Sequence, residues 1–349
     1  MAKKPCKYDS LIVTHMPNIR YLTGFSGSSG CVLITPRRKY FYTDFRYEAQ
    51  AAREVRGFDI RIVRGGCLDG CCRHITSRRI SAGIIGFDGA HIGLREHFLL
   101  KKLLKGFTLC DATGEIEKQR MVKSRAEIGK LRRAAKITDA AFGRLTRSKV
   151  IGRTEKEIAW MLESYMRQAG SGMMPFEIIV ASGPRSAMPH GVATNRVIRA
   201  GELVVVDMGA SVDGYCSDAT RTFATGLLPE KLSRIYQIVL EAQKLAMDGI
   251  SAGTACSEVD RLARDHITAA GYGSAFGHSL GHGVGLEAHE GPVLSNLSRD
   301  NLITGMTVTI EPGIYLERQG GVRIEDTVLV GASGVKALTG FPRNLISLR

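Results

Sequence analysis

The most informative part of this sequence is LVVVDMGASVDGYCSDATRTF, residues 203–223. The Asp-Gly pair at 213–214 is a type I′ turn signal, and the flanking residues are β-branched or apolar, so the stretch predicts a β-hairpin. A two-residue loop pairs Asp207 with Thr220. Because side chains alternate between the faces of a strand, Asp207 and Asp218 emerge on one face as diagonal neighbours. Two carboxylates beside a buried strand are costly unless a cation compensates them, so the hairpin predicts a cation site.

A second stretch, MTVTIEPGIYLERQGGVRIEDTVLV at residues 306–330, follows the same pattern. Its glycine-rich turn is looser, which leaves the register open by one or two residues. Pairing Leu316 with Val322 places Glu311 and Glu325 on one face, again as diagonal neighbours. Acids that merely solvate an edge strand would not lie within such apolar strands. We therefore expect four carboxylates from two hairpins to converge.

Each hairpin closes one copy of a weak internal repeat, conserved in the order of its elements and not in residue identity. Both copies contain two helices and end in a two-stranded unit. The first copy has predicted helices at 124–146 and 154–168 and a strand at 177–181. The second has predicted helices at 229–247 and 257–269, followed by a glycine- and histidine-rich segment. The pattern indicates an α+β domain with a pseudo-twofold repeat.

Histidines complete the candidate site. His278, His282 and His289 lie in the glycine-rich segment 277–292, and His190 lies in a separate loop. Three histidines in twelve residues that cannot share one helical face favour a functional role. Four carboxylates and one imidazole suit a pair of divalent ions such as Mn, Co, Fe or Zn. Spacing alone does not say which histidine is the ligand.

Other motifs carry less weight. Residues 277–281 match G-x-S-x-G, but the acid and histidine that a serine hydrolase needs downstream are absent at workable spacing. Residues 289–290 lack the second histidine of H-E-x-x-H, and no Walker A motif occurs. Cys67, Cys71 and Cys72 form a lone cluster without a second pair, so we interpret them as incidental surface thiols.

The first 120 residues predict a separate α/β domain. Strands are expected at 10–15, 31–36, 39–43, 59–63 and 84–87, with helices at 45–56 and 94–104. A long helix from about residue 123 to 146 marks the junction. We therefore expect an N-terminal domain at 1–120 and a catalytic domain at 121–349.

Charge and composition restrict the function further. The chain carries 48 Lys/Arg against 34 Asp/Glu, a formal net charge of +14. Residues 1–120 hold 21 of the basic residues against 11 acids. These are scattered and not interleaved with aromatics, so they favour a solvated surface over an acidic partner, and no nucleic acid is expected.

The sequence also bears on location. No stretch is long and apolar enough to span a membrane, so no membrane association is expected. The N-terminal segment MAKKPCKYDSLIV lacks the apolar region of a secretory signal. We expect a cytoplasmic protein whose eight cysteines are reduced.

Six stretches resemble the pita-bread metallopeptidases, the family of methionine aminopeptidase, aminopeptidase P, prolidase and creatinase. They are SGPRSAMPHG, VVVDMGA, SDATRTF, GHSLGHGVGLEAHE, TIEPGIY and GVRIEDTVLV, in family order within residues 121–349. NIRYLTGFSGSSG and YTDFRYEAQA resemble the N-terminal domain shared by aminopeptidase P, prolidase and creatinase. The resemblance implies a creatinase/prolidase-type α/β domain followed by a pita-bread catalytic domain.

The resemblance also implies a ligand set for two divalent ions, foremost Mn²⁺, with Co²⁺ or Zn²⁺ as alternatives. Asp218 and Glu325 would bridge both ions, and Asp207 would chelate one. The other ion would be completed by His282 and Glu311, which selects one histidine among the four.

Further roles follow from the resemblance alone. His190, His289 and Glu311 are implied as catalytic residues, the histidines contacting the scissile peptide and Glu311 moving the proton. His190, His278 and Arg323 are implied as substrate-binding residues, the last two on weaker matches.

The implied reaction is hydrolysis of an N-terminal Xaa-Pro bond, the activity of aminopeptidase P, on peptides with proline in second position. The alternative is Xaa-Pro dipeptidase (prolidase) activity; a non-catalytic binding module of the same fold is remote, because no ligand is missing. Relatives are commonly dimers or larger, so a homodimer is expected.

Overall fold

The computed structural model describes residues 7–78, 80 and 83–349 of the chain. It divides into two compact units, Met1–Arg120 and Met121–Arg349. Residues 1–6 lie outside the described part of the chain. They include the start of the segment that was examined for a secretory signal, and Cys6, for which a reduced state is expected. Within the described part of the chain, no helix is both long and apolar enough to cross a membrane.

The N-terminal unit alternates strands and helices. Its elements are β1 (Ser10–Val13), α1 (Met16–Thr23), β2 (Cys31–Ile34), β3 (Lys39–Asp44), α2 (Glu48–Glu54, after a 3₁₀ turn at Phe45–Tyr47), β4 (Asp59–Val63), α3 (Cys67–Arg78), β5 (Ile84–Phe87), α4 (Leu94–Leu103), β6 (Thr108–Asp111) and α5 (Glu115–Met121).

One mixed sheet organises this unit, in the order β4-β3-β2-β1-β5-β6. Its two faces are both buried, as strand β1 illustrates. Ile12 packs in one hydrophobic cluster, and its neighbours Leu11 and Val13 pack in the other. This period-two alternation places helices on both faces of the sheet.

The sequence pattern omitted four elements of this unit, namely α1, α3, α5 and β6. Helix α3 shows the reason, because Gly70 and the β-branched Ile75 and Thr76 disfavour a helix locally. Burial of five side chains along one face overrides that propensity. Local patterns therefore under-report helices that tertiary packing stabilises.

Two expectations about cysteines are wrong. Cys67, Cys71 and Cys72 are buried on α3 and are not surface thiols. Cys110 is disulfide-bonded, whereas a reduced thiol was expected. Cys31, Cys216 and Cys256 are buried thiols outside any disulfide, as are the three on α3.

The C-terminal unit contains two helix pairs, each followed by strands. The first half comprises α6 (Arg125–Leu145), α7 (Glu155–Gln168), β7 (Ile179–Ser182), a 3₁₀ turn (Gly183–Ala187), β8 (Leu203–Met208), β9 (Ser211–Val212), β10 (Tyr215–Cys216) and β11 (Ala219–Ala224). The second half comprises α8 (Glu230–Asp248), α9 (Cys256–Ala269), a 3₁₀ turn (Gly273–Ala275), β12 (Gly281–Gly283), β13 (Glu290–Leu294), β14 (Thr307–Ile310), β15 (Gly313–Leu316), β16 (Gly320–Arg323), β17 (Asp326–Val330) and β18 (Val335–Ala337).

Besides a two-stranded sheet in each half (β9-β10 and β15-β16), the strands form two larger antiparallel sheets, one per half. The first has the order β11-β8-β7, and the second has the order β13-β12-β14-β17-β18. Helices α6 and α7 start with Ser124/Glu127 and Thr154/Glu157 capping boxes, which satisfy their first backbone amides. Each half has its own hydrophobic cluster between helices and sheet. The predicted pseudo-twofold repeat is therefore present in the fold.

The first hairpin has the predicted register. Asp207 pairs with Thr220 across β8 and β11, and Asp213 and Gly214 both adopt positive φ, as a type I′ turn requires.

The second hairpin differs from the expected register by two residues. Leu316 pairs with Gly320, because Arg318 adopts positive φ and the connection has three residues. A shift of two keeps every side chain on its predicted face. The strand is interrupted at Glu311, and the residue pairs before and after this interruption keep the same register. Glu311 therefore lies directly opposite Glu325 and not diagonal to it.

Candidate metal centre

A cavity of about 400 Å³ lies in the C-terminal unit, where the two hairpins meet. It contains every sequence-predicted site residue. The lining residues are Phe176, Glu177, Ile179, Pro189, His190, Val192, Asp207, Asp218, His278, Ser279, His282, His289, Glu311, Arg323 and Glu325.

Strand alternation explains why the acids face this cavity. Val204 and Val206 of β8 point into the helix-covered core, so Asp207 projects from the opposite face. In the second sheet, Val308 and Ile310 of β14 point into the other core, and Glu311 continues the opposite face. Each acid therefore projects from the face of its sheet that the helices do not cover.

Hydrogen bonds join the two hairpins at the cavity floor. The Thr220 hydroxyl donates to Glu325 Oε2 (2.7 Å), and the Glu325 amide donates to the Thr220 carbonyl (3.1 Å). The Thr327 hydroxyl donates to the Asp218 carbonyl (2.8 Å). These contacts fix Asp218 and Glu325 beside each other although they lie far apart in the sequence.

Burial makes both of these carboxyl groups hard to ionise without a cation. Asp218 is 4% exposed and Glu325 is 1% exposed. Burial raises the pKa of Asp218 well above its usual value, and the negative charges of Glu325, Asp207 and Glu311 raise it further. The pKa of Glu325 is raised for the same reasons, burial first.

His282 is held in the orientation of a ligand. Its Nδ1–H donates to the carbonyl of Gly283 (3.0 Å), which leaves Nε2 facing the acids. Nε2 lies 3.2 Å from Glu311 Oε1 and 3.8 Å from Asp218 Oδ2. Burial alone would lower the pKa of His282, but the hydrogen bond and charge of Glu311 raise it overall.

A chain of hydrogen bonds leads from Asp207 to the cavity wall. Arg323 Nη2 donates to Asp207 Oδ2 (2.7 Å), and Nη1 donates to the Tyr315 hydroxyl (3.0 Å). The Tyr315 hydroxyl lies 2.9 Å from His278 Nε2, and His278 Nδ1–H donates to the Ser279 carbonyl (2.8 Å). Both ring nitrogens of His278 are thus engaged within the chain, and burial lowers its pKa.

The donor set fits divalent ions. Asp218, His282 and Glu325 each offer an atom within 4.8 Å of the others. Asp207 Oδ2 accepts from Arg323, but Oδ1 is buried without a hydrogen-bond partner, which is costly for a carboxylate oxygen. At the floor of the cavity, four carboxylates face a single guanidinium, so negative groups outnumber positive ones there.

The other two histidines lie nearer to solvent. His190 and His289 are both exposed at the cavity. The ring of His289 lies 4.3 Å from that of His282, and burial followed by the charge of His282 lowers its pKa. His289 is therefore neutral at neutral pH and can donate a hydrogen bond.

Sequence patterns missed the residues that support the site, among them Tyr315 and Glu155. Tyr315 pairs with Gly321 across the β15–β16 hairpin, and a small residue opposite a large one was the available signal. Glu155 begins α7 and is fully buried. Its carboxylate accepts from the amide and hydroxyl of Ser182 and of Thr194 and from Arg185 Nε. Glu155 thus holds both ends of the loop that carries His190.

We predict that Glu155→Gln lowers the free energy of unfolding by about 2–4 kcal/mol. The side-chain NH₂ group of glutamine is a hydrogen-bond donor, and it would face donors that now bond to a carboxylate oxygen. Urea denaturation measures the change. Glu163→Gln on the same helix removes a half-exposed ion pair with Arg167 and should change it by less than about 0.5 kcal/mol. Equal effects of the two substitutions would contradict the proposed role of Glu155.

Four carboxylates and an imidazole that line one cavity form a donor set suited to divalent ions, as in metal-dependent hydrolases. The two sheets with their helix pairs form the pita-bread fold, preceded here by an α/β unit. The chain belongs to metallopeptidase family M24: the family profile matches residues 129–332, and the Creatinase/Prolidase N-terminal domain matches residues 3–122.

Full-length relatives support this assignment. The chain is 39% identical over 339 residues to the Xaa-Pro dipeptidase of Pyrococcus horikoshii, which covers 97% of this chain and 94% of the relative. The solved structure of the Xaa-Pro dipeptidase from Bacillus anthracis matches with a TM-score of 0.94 at 42% identity, covering 98% and 95%. The X-Pro aminopeptidase from Thermotoga maritima matches with a TM-score of 0.90 at 36% identity, covering 98% of both chains. The predicted family, fold class and peptidase activity are confirmed.

Proposed function

We propose that this chain is a dinuclear-metal peptidase that hydrolyses the N-terminal Xaa-Pro bond of peptides. The observation that carries the proposal is the convergence of five candidate ligands, including the unpaired Asp207 Oδ1, at the floor of one cavity. Asp207, Asp218, His282, Glu311 and Glu325 would hold the ions, with Mn²⁺ the proposed metal. Bound divalent ions would acidify a water nucleophile and polarise the scissile carbonyl.

The chain's own residues supply the proton transfers. Hydrogen bonding from His282 holds the pKa of Glu311 below its usual value although burial opposes this, so Glu311 is ionised at neutral pH. It can therefore accept a proton from the attacking water and deliver it to the proline nitrogen. Neutral His289 is proposed to donate a hydrogen bond to the carbonyl oxygen as negative charge develops there. His190, which lines the same cavity, is proposed to orient the scissile peptide.

The cavity also offers a surface for a proline ring. Phe176, Ile179 and Val192 contribute apolar side chains to its lining, and Ile179 lies opposite Asp207 across β7 and β8. An Xaa-Pro bond has no N–H at proline, so apolar packing is the recognition that remains available there. His278 is proposed to contribute through Tyr315, since both of its ring nitrogens are already bonded.

Aminopeptidase activity is the first proposal because of the charges in the lining. A dipeptidase has to recognise the free carboxylate of its substrate. Among the described lining residues, Arg323 is the only Lys or Arg, and its Nε, Nη1 and Nη2 all donate to groups of the chain. The dipeptidase names of the relatives favour the second candidate, Xaa-Pro dipeptidase, which would bind that carboxylate through the exposed histidines.

We predict that metal-stripped protein reloaded with Mn²⁺ cleaves both Xaa-Pro and Xaa-Pro-Yaa-Zaa, as expected when the site does not require a free proline carboxylate. Liquid chromatography of the products gives kcat/KM for each substrate. Cleavage of the dipeptide alone would overturn the aminopeptidase proposal in favour of prolidase. A binding module would cleave neither substrate under Mn²⁺, Co²⁺ or Zn²⁺.

Three further properties belong to this proposal. We propose that residues 1–120 and 121–349 are the two domains, that the enzyme acts in the cytoplasm, and that it is a homodimer, which light scattering after gel filtration would test. Peptides are the proposed partners, without nucleic acid or membrane.

A further inference from the structure

The N-terminal unit contains a second group of metal-ligand side chains, distinct from the catalytic floor. His15, His91 and Glu117 each offer one ligand atom, and these atoms lie within 4.8 Å of one another. The three residues come from separate segments. His15 precedes α1, His91 lies in the loop between β5 and α4, and Glu117 lies on α5.

Asp88 lies beside this group and gives an independent reason to expect a cation. It is 5% exposed, and its Oδ2 atom is buried without a hydrogen-bond partner. Oδ1 already accepts from the Ala90 amide (3.1 Å), so only Oδ2 is available. Oδ2 points at the group, 3.8 Å from His91 Nε2. A buried carboxylate oxygen without a donor is stabilised by a cation in reach.

The distances approach those of a tetrahedral site. Glu117 Oε1 lies 3.5 Å from His91 Nε2, and Asp88 Oδ2 lies 3.8 Å from the same atom. Ligand bonds of 2.0–2.2 Å give a tetrahedron with edges of about 3.3–3.5 Å. The imidazoles of His15 and His91 are stacked, with ring centroids 3.6 Å apart and planes within 2°. Because an ion lies in the plane of each imidazole that binds it, coordination of one ion by both histidines requires the rings to turn out of this parallel stack.

An outer layer of hydrogen bonds orients Glu117. Asn18 Nδ2 donates to Glu117 Oε1 (2.5 Å), and Arg120 Nη1 donates to Asn18 Oδ1 (2.7 Å). Metal ligands characteristically have such supporting bonds. Burial raises the pKa of Asp88, and the charge of the neighbouring Glu117 raises it further.

We propose that His15, Asp88, His91 and Glu117 form a zinc-binding site in the N-terminal unit, separate from catalysis. Two imidazoles and two carboxylates suit Zn²⁺ in tetrahedral coordination. The ion would link α1, α5 and the β5–α4 loop. Zinc is proposed here as a structural ion, because four protein ligands leave no open position for substrate.

The test uses the full chain with the catalytic site disabled. In an Asp218→Asn/Glu325→Gln background, equilibrium dialysis with Zn²⁺ should give about one ion per chain, and Co²⁺ should give the intense visible bands of a four-coordinate site. Adding His91→Ala should abolish both signals. His97→Ala removes another imidazole of the same unit, which contacts the ring of Phe87 in a tilted arrangement, and should leave both unchanged.

Two outcomes would overturn the zinc proposal. One is a background variant that binds no Zn²⁺, and the other is Zn²⁺ binding that His91→Ala leaves intact. His91 is one-third exposed, so its removal should not unfold the chain; circular dichroism and a His91→Gln variant check this. Peptidase activity of the single His91→Ala variant at saturating Mn²⁺ should match wild type, which separates failure of this proposal from failure of the proposed function.

Discussion

Asp218→Asn should abolish peptidase activity while leaving the metal-free protein folded. Asp218 is one of the two most deeply buried candidate ligands, and loss of its charge removes a proposed bridge between two ions. The loss of several kcal/mol of electrostatic stabilisation corresponds to a fall in kcat/KM of at least about 10³-fold. Xaa-Pro hydrolysis at saturating Mn²⁺ measures the fall, and elemental analysis measures the metal that remains.

The same substitution has an opposite effect on stability without metal. Because the folded-state pKa of Asp218 is raised, the stability that its neutral form contributes is present below about pH 4 and is lost as pH rises through the raised pKa. Asparagine is neutral throughout. In EDTA, the variant should therefore have a Tm equal to or above that of wild type, by a margin that grows from pH 5 to pH 8.

Asp213→Asn is the matched control. It makes the same change in the same hairpin, at an exposed turn position that tolerates asparagine. We expect it to keep activity and to show no pH-dependent gain. A destabilised metal-free Asp218→Asn protein, or one with wild-type activity, would contradict the assignment of Asp218 as a metal ligand.

The hairpin faces were predictable from sequence because they depend only on period-two alternation and turn type. Asp207 pairs with Thr220 as expected, since an Asp-Gly turn leaves little freedom. The Glu311–Glu325 pair was placed on the correct face but two residues out of register. A glycine-rich turn admits several loop lengths, and the positive φ of Arg318 is not evident from its residue type.

The supporting residues were not predictable from local pattern. In the sequence, Glu155 resembles an ordinary acid in the first turn of a helix, where a negative charge interacts favourably with the helix dipole. Its five hydrogen bonds come from segments that only the tertiary fold brings together. The cluster of His15, Asp88, His91 and Glu117 is similarly dispersed, so no spacing motif marks it.

Arg323 is the residue on which the family resemblance and the structure point to different roles. The resemblance implies substrate binding, whereas the structure shows a buried guanidinium with Nε on Thr220, Nη1 on Tyr315 and the Pro189 carbonyl, and Nη2 on Asp207. It is 3% exposed. From these contacts we infer that Arg323 is a positioning residue for Asp207.

Arg323→Met separates the two roles because each predicts a different kinetic change. If Arg323 positions Asp207, Mn²⁺ affinity and kcat should fall by about 10- to 100-fold, the typical cost of removing a partner of a metal ligand, with KM changed by less than about threefold. If Arg323 binds substrate, KM should rise and Mn²⁺ affinity, measured by equilibrium dialysis, should stay constant. Arg323→Lys restores the charge but not the forked geometry, so it should recover Mn²⁺ affinity only in part. Arg318→Met, at a nearly fully exposed position of the same hairpin, should change neither quantity.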